Sequence, residues 1–403
     1  MEDKHIKRLS DDDVQEFIFE HETEDENKLS LKHKTLYQLP FALIAQQLVG
    51  RRKSKEKLPL WFRTKGVVYP PSLNLEQSSS EATALYKERW LAELVFPKKH
   101  LVDLTGGLGV DTFFVGRLFE RTTSVEPNQE LLSLAKHNHQ QLGNKTISYF
   151  PKSATQWLAE HNEAVSLFYL DPSRRKNSGK VFRLSDCEPN TIELQHLLFQ
   201  QSEFVLIKAS PLLDIQQGLR ELPNVEHVKV VAVENEVKEL LFFQHFGFEG
   251  EATIEAIHLT KEGNVKETFS FLLTQEKELK SEPSVLQTYL YEPNAAILKT
   301  GAFKSVALQF NVGKIHPHTH LYSSENLEIN FPGRIFKIET VNPTPSDFNK
   351  MLPEGKVNVI TRNYPLAADK LKKKLKLKDG GNKYVIGFSE EKRKTIVIAS
   401  RVK

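Results

Sequence analysis

The chain has 403 residues, with 55 Lys and Arg against 52 Asp and Glu and one cysteine, Cys187. That length suits two or three domains, and the composition is that of a soluble globular protein. A disulfide framework and a cysteine-based zinc finger are excluded, and a formal charge of +3 does not by itself demand a nucleic acid.

Residues 1–95 read as a helical N-terminal region. Ser10-Asp11-Asp12-Asp13 precedes a helix carrying Val14, Phe17 and Ile18, and His21 to Lys28 reads as a polar loop. Phe41, Leu43, Ile44, Leu48 and Val49 mark a further helix, followed by Arg51, Arg52, Lys53, Lys55 and Lys57. Such a run is a solvated face or a nucleic-acid contact. Ser78 or Ser79 is expected to cap the next helix, which ends near Leu94. The start, MEDKHIKRLSDDD, has no apolar signal core, and no run reaches membrane-spanning length. With a single cysteine, these features predict a cytoplasmic protein.

Regular β/α alternation begins at Lys99, and residues 96–275 are read as one domain built on a parallel sheet. Its first segment, LVDLTGGLGVDTFFVGRLFERTTSVEPN, runs strand, glycine turn, helix, strand, acid. Glycines let the backbone take positive φ and let a ligand approach the main chain. An acid ending the second strand, here Glu126, can take both hydroxyls of a ribose. This pattern predicts a nucleotide-type cofactor at the carboxyl ends of the strands. The dinucleotide fingerprint G-x-G-x-x-G does not fit, because the glycines fall as G-G-x-G and Asp111-Thr112 stand where the late glycine belongs. A further apolar strand, 165–170, ends in Asp171-Pro172-Ser173-Arg174-Arg175; the following loop adds Lys176, Lys180 and Arg183. Strands near 225–233, 252–259 and 267–274 complete the domain, and QEKELKSEP, 275–283, reads as a linker.

Beyond the linker, short strands recur with turn signals. His316, His318 and His320 alternate, which in a strand puts them on one face; they lack a Cys or acid partner at metal-ligand spacing, so no metal is expected. Leu371 and Leu375 share one face of a lysine-rich helix that includes Lys372, Lys373 and Lys374.

The motif D-x-T-G-G-x-G-x-D with its second acid resembles motifs I and II of class I S-adenosylmethionine (AdoMet) methyltransferases. The tail motifs YEPNAA-x-x-K-x-GAFK, HPHTHLY, FPGR-x-F, RNYPL and KLKLKDGG resemble a bacterial family of such enzymes with a ferredoxin-like module and a THUMP-like domain. The resemblance covers essentially the whole chain. It implies an α/β fold: a Rossmann-like parallel sheet with an antiparallel edge, then small α+β domains at 284–328 (ferredoxin-like) and 329–403 (THUMP-like). It implies AdoMet as cofactor, held by Asp103, Thr105, Gly106, Gly107, Gly109, Asp111, Glu126, Pro127 and Asn128, and by Gln77, Ser80 and Thr83 of a segment like motif X.

Asp171-Pro172 falls at motif IV, beside the methyl group, with Arg174 and Arg175 as candidate phosphate contacts. The amino methyltransferases of nucleobases have proline and an aromatic next; Ser173 and Arg174 depart from that. The carbon-5 uridine enzymes need a cysteine after the next strand, where Lys208-Ala209-Ser210-Pro211 has none. Asp186 and Glu188 beside Cys187 would raise its pKa, against a nucleophile. Lys208 either neutralises substrate charge or pairs with Asp171 or Glu234. The expected function is RNA methylation, of rRNA or tRNA, by positioning and without a covalent cysteine intermediate; THUMP-like implies RNA by analogy, with Lys372, Lys373 and Lys374 as contacts. A protein or small-molecule acceptor, and a non-catalytic RNA-binding protein, are the alternatives.

Overall fold

The apolar runs from His100 onward supply seven neighbouring strands of one sheet. These are β1 (His100–Asp103), β2 (Arg121–Val125), β3 (Ile147–Phe150), β4 (Leu167–Leu170), β5 (Phe204–Ala209), β6 (Val225–Val233) and β7 (Glu236–His245). Their order is 3-2-1-4-5-7-6. β1 to β5 pair in parallel, and β7 runs antiparallel to β5. β1 is buried along its whole length, because helices cover both faces of such a sheet. Its last residue, Asp103, pairs with Ser124 of β2 and Tyr169 of β4. That register brings the chain just beyond three strands, with Thr105, Glu126 and Asp171, to one edge. The order reverses between β1 and β4, the switch point where open α/β sheets bind ligands.

The computed structural model describes residues 1–174, 183–280 and 283–403, in two compact units. The first takes Met1–Glu234, Lys238–Ala252 and Leu259–Lys266; the second takes Asn235–Val237, Thr253–His258 and Glu267–Lys403. Seven helices precede β1. Ile44, Leu48 and Trp61 from this region share one apolar cluster with Phe113, Phe114 and Leu134. The basic run at 51–57 is largely paired internally: Arg51 with Glu22, Arg52 with Glu26, Lys53 with Glu76. Lys57 donates to the carbonyls of Leu75 and Glu76.

Four local expectations change. Within the expected loop at 21–28, Asp25 accepts from the Asn27 amide and caps a helix, Glu26–Lys32. Ser80, not Ser78 or Ser79, accepts from the Thr83 amide and caps Glu81–Glu93. β7 has no counterpart in the sequence reading, because Leu240 to Phe243 are all buried and show no alternation. It follows a tight turn in which Glu234 and Asn235 both have positive φ, as the two-residue hairpin turn requires. Finally, the linker at 275–283 overlaps a helical turn, Leu273–Glu278, whose Glu276 is buried.

Two further strands, β8 (Thr253–Leu259) and β9 (Val265–Leu272), follow. The second unit holds β10 (Tyr289–Pro293), β11 (Gly313–Lys314), β12 (Tyr322–Ser324), β13 (Gly333–Val341), β14 (Asn358–Arg362), β15 (Lys383–Ser389) and β16 (Lys394–Arg401). They form one sheet in the order 11-12-10-13-16-15-14. Three tail motifs meet at one buried carboxylate. Glu292 of YEPN takes Arg334 of FPGR at 2.7 Å and also pairs with Arg362 of RNYPL. The HPHTHLY motif lies mostly in the turn between β11 and β12, so its histidines do not share a strand face. Thr319 within it donates to the Ser389 carbonyl and accepts from Asn363. Among the described residues no helix is long and apolar enough to cross a membrane, and no three His, Cys, Asp or Glu are grouped to hold a metal.

Candidate functional site

A cleft of about 300 Å³ opens at the carboxyl ends of β1, β2 and β4. The turn from Thr105 to Gly109 forms its floor. The Gly106 amide donates to the Val125 carbonyl at 2.8 Å, and the Gly109 amide to the Gly106 carbonyl at 2.8 Å. Gly107 and Gly109 have φ of +53° and +78°. A Cβ on Gly109 would meet the His139 ring, whereas one on Gly107 meets nothing closer than 3.7 Å. The first position packs; the second leaves room for a ligand. His139 fixes the turn from below, with Nε2 donating to the Gly109 carbonyl at 2.9 Å and Nδ1 accepting from the Tyr149 hydroxyl at 2.7 Å. Burial lowers its pKa to about 4, so the ring is neutral at physiological pH.

Glu126 ends the cleft on the β2 side. One carboxylate oxygen accepts the Gly107 amide at 3.0 Å, the other the Asn128 amide at 2.9 Å. Each oxygen keeps a lone pair for a further donor. Asn128 also caps the helix Gln129–Gln141, and Pro127 lines the cleft.

Asp103 also lines the cleft and is 1% exposed. It accepts from the Thr105 amide at 2.9 Å and from the Thr112 hydroxyl. Burial pushes its carboxyl up to about 7 against those two bonds. A buried acid whose folded pKa is raised stabilises the protein fully below its unfolded pKa, near 4. That contribution is lost as pH climbs through the folded value. Asp103→Asn is therefore expected to match the wild type near pH 4 and to be more stable at pH 8. The gain in the ligand-free protein is up to about 4 kcal/mol. Urea midpoints for both proteins across that range check it; a constant difference would remove the charge burial.

Asp111 opens the helix after the turn and is the hub of a buried ionic network. Its carboxylate accepts from the Ser79 hydroxyl and from the Tyr169 hydroxyl at 2.6 Å. Lys87 lies 3.1 Å from one oxygen and Lys208 3.4 Å from the other. Burial opposes its charge, but the two lysines win and hold its pKa below the ordinary carboxylate value. Lys87, fully buried, also pairs with Glu239 of β7 at 2.6 Å. Lys208 of β5 lies 2.6 Å from Asp171 and 2.7 Å from the Ser79 hydroxyl. Burial disfavours its charge, yet Asp171, Asp111 and Glu239 keep it protonated. Asp171 itself is raised by burial, with Lys208 pulling the other way. The Asp171 amide donates to the Thr105 hydroxyl at 2.6 Å, tying the fourth strand end to the glycine turn.

Of the residues expected from sequence, Gln77, Asp103, Thr105, Gly106, Gly107, Gly109, Asp111, Glu126, Pro127 and Asp171 line this cleft. Pro172, buried, follows Asp171 directly. Asn128 supports Glu126 from behind, while Ser80 and Thr83 bond to each other at the helix start. Ser79 and Asn74 face the cleft instead. Ser173–Arg174 pairs with Cys187–Glu188 as a short two-stranded ribbon beside Asp171. Arg175, Lys176 and Lys180 lie outside the described residues. Cys187 is buried, its thiol donating to the Arg183 carbonyl at 3.4 Å. Ser79, Lys87, Tyr169 and Glu239 are not marked by the sequence as site residues, Ser79 being expected only as a helix cap. Lys87 and Glu239 lie 152 residues apart, and nothing local announces such a pair. Lys372 is held by Asp369 and Asp379, at 3.2 and 2.7 Å, whereas Lys373 and Lys374 are exposed.

Over its whole length the chain is similar to a "putative methyltransferase" from Porphyromonas gingivalis W83, at 28% identity and a TM-score of 0.86, with 100% of both chains covered. A "putative methyltransferase" from Streptococcus mutans in complex with SAH matches 39% of this chain and 93% of its own, at 13% identity and a TM-score of 0.30. A "putative RNA methyltransferase" from Pyrococcus horikoshii matches 49% and 98%, at 15% identity and a TM-score of 0.33. A ferredoxin-like domain model matches residues 289–332, and a THUMP-domain-like model matches residues 333–401. No curated protein shows significant similarity to the chain.

Proposed function

We propose, for a chain that has the class I methyltransferase fold and ends in ferredoxin-like and THUMP-like domains, that it is an AdoMet-dependent methyltransferase acting on RNA, either rRNA or tRNA. One observation carries the reading. A buried acid, an open glycine turn, a second-strand acid and a fourth-strand Asp-Pro all border a single cleft.

The donors and acceptors there fit the cofactor. Asp103 would take the methionine ammonium, and Glu126 the ribose hydroxyls through its remaining lone pairs. Gly107 leaves the main chain open to a ligand. AdoMet, when bound, supplies a methyl group already activated on a sulfonium, so positioning is most of what the protein must add. Asp171 would hold the acceptor, and its raised pKa suits it to take a proton. Lys208 and Thr105 fix its side chain and backbone. No step is assigned to Cys187, which is buried and is not itself among the residues lining the cleft.

RNA as substrate is supported by charge as well as by likeness to THUMP domains. Residues 284–403 hold twenty Lys and Arg against ten Asp and Glu, a net +10 in a chain of net +3. The remaining residues, 35 basic against 42 acidic, are net −7.

Asp171→Asn tests the catalytic part, because the amide keeps a bond to Lys208 and loses the charge. AdoMet affinity by calorimetry should stay within about twofold, while methyl transfer to unmodified cellular RNA falls roughly a hundredfold or more. Equal turnover would remove Asp171 from the chemistry. Absence of any RNA methylation by the wild type, with AdoMet bound, would favour another acceptor.

Lys373→Glu/Lys374→Glu tests the tail. If both lysines meet phosphates, the slope of log affinity against log salt should fall by roughly 0.9 for each on duplex RNA, somewhat less on single strands. Lys372, already paired with two aspartates, should matter less. Titrations at two salt concentrations that give the wild-type slope would take this helix off the RNA path.

A further inference from the structure

The second unit contains a cavity that methyl transfer does not use. It measures about 190 Å³ and is lined by Glu276, Pro283, Phe303, Lys304, Lys314, His316 and Pro317. Lys314, on β11, is only 7% exposed. One of its three ammonium donors goes to the Pro317 carbonyl at 2.7 Å. The ammonium also lies 4.9 Å from the centre of the Phe303 ring, which His320 stacks against. Among the described residues no carboxylate comes within the 4.0 Å of an ion pair. Burying an ammonium is costly and lowers its pKa here, with the Glu276 charge pulling the other way and Lys304 adding to the shift.

Glu276 acts on that ammonium only from beyond ion-pair distance, because its carboxylate is held by other donors. Its oxygens accept the Lys304 amide at 2.9 Å and the Ser305 amide and hydroxyl, both at 2.7 Å. Lys304 spends two ammonium donors on the Lys277 and Leu279 carbonyls and keeps a third. His316 accepts the His318 amide on Nδ1 at 3.0 Å, so its ring proton sits on Nε2 and is a further donor. Two lysines and an imidazole N–H thus border one small cavity with donors to spare.

We propose that this cavity is an oxyanion site that takes a phosphate group, either inorganic phosphate or the terminal phosphate monoester of a nucleic-acid strand. Several donors from different elements suit a tetrahedral group with many acceptors better than a two-oxygen carboxylate. The volume is below the roughly 300–1,000 Å³ that holds a whole small-molecule ligand, so the site takes an end or a small ion. The module that contains it is strongly basic, which draws anions to it.

The test uses the full chain and two probes. Inorganic phosphate, against chloride at equal ionic strength, should raise the melting temperature of the wild type but not of Lys314→Met. One RNA oligonucleotide, prepared with a hydroxyl or a phosphate at its 5′ or 3′ end, identifies the source. A strand end as ligand predicts affinity about tenfold or more higher for a phosphorylated form, the worth of a charge-assisted hydrogen bond, and loss of that preference in Lys314→Met. A response to inorganic phosphate alone assigns the site to the free ion. Wild-type indifference to every phosphate probe overturns the proposal. So does an undiminished response in a folded Lys314→Met, folding being checked by circular dichroism and AdoMet titration. If that variant does not fold, Lys304→Gln/His316→Ala on the rim is read in the same way: a weakened response supports the site and an unchanged one overturns it.

Discussion

Gly107→Arg should abolish AdoMet binding, a loss of more than about a hundredfold, while leaving the protein folded. The reason lies in where the new side chain goes. The nearest atom to a Cβ at this position is the Thr105 carbonyl at 3.7 Å, so the arginine extends into the cleft and fills it. The backbone cost is that of a non-glycine residue at φ +53°, roughly 1–2 kcal/mol, a shift of only a few degrees in melting temperature. Gly109→Ala is the contrast: its Cβ meets the His139 ring, so the turn itself must move and stability falls together with binding. Calorimetry and melting curves separate the two. Wild-type AdoMet affinity in Gly107→Arg would sink the assignment of this turn to the cofactor, and NAD binding in its place would point to a dehydrogenase.

Lys87→Met should produce the largest loss of stability, about 3–5 kcal/mol, the cost of removing one partner from a buried ion pair. The side chain is fully buried, and its ammonium serves two carboxylates, Asp111 and Glu239. Asp111 retains Lys208, Ser79 and Tyr169. Glu239, 4% exposed, loses the only ion-pair partner it has among the described residues. Adding Glu239→Leu to Lys87→Met should recover most of the lost stability, because an apolar pair in place of a buried ion pair is tolerated. Denaturant midpoints of the wild type, single and double variants decide this. A loss below about 1 kcal/mol in the single variant would mean that the charges are not buried as a network.

Both variants probe the same division between what is local and what is not. The strand, glycine turn, helix and acid from Leu101 to Asn128 were legible because each part obeys a short-range rule. Apolar runs become buried strands, glycines occur where φ is positive, and Asn128 caps the helix it precedes. Asp103, Glu126 and Asp171 could be named for the same reason: each closes an apolar run at a strand end. The Leu371 face of the lysine-rich helix was equally legible, since one apolar position per turn suffices to pin it.

Tertiary structure decided the rest. β7 was invisible because a strand covered on both faces loses the alternation that would mark it. Ser80 took the cap and left Ser79 to the cleft, a choice among three adjacent serines that only the position of Asp111 settles. Lys208 could have served the substrate or the scaffold, and the parallel pairing of β4 with β5 places it against Asp171. Lys87 and Glu239 carry no local signal at all, because an ion pair depends on distance in space and these two are brought together only when β7 enters the sheet. The sequence by itself determined which residues stand at the strand ends, because each follows from a short-range pattern. The fold determined which buried charges hold those ends in place, because a carboxylate taken out of water needs a partner that chain order does not specify.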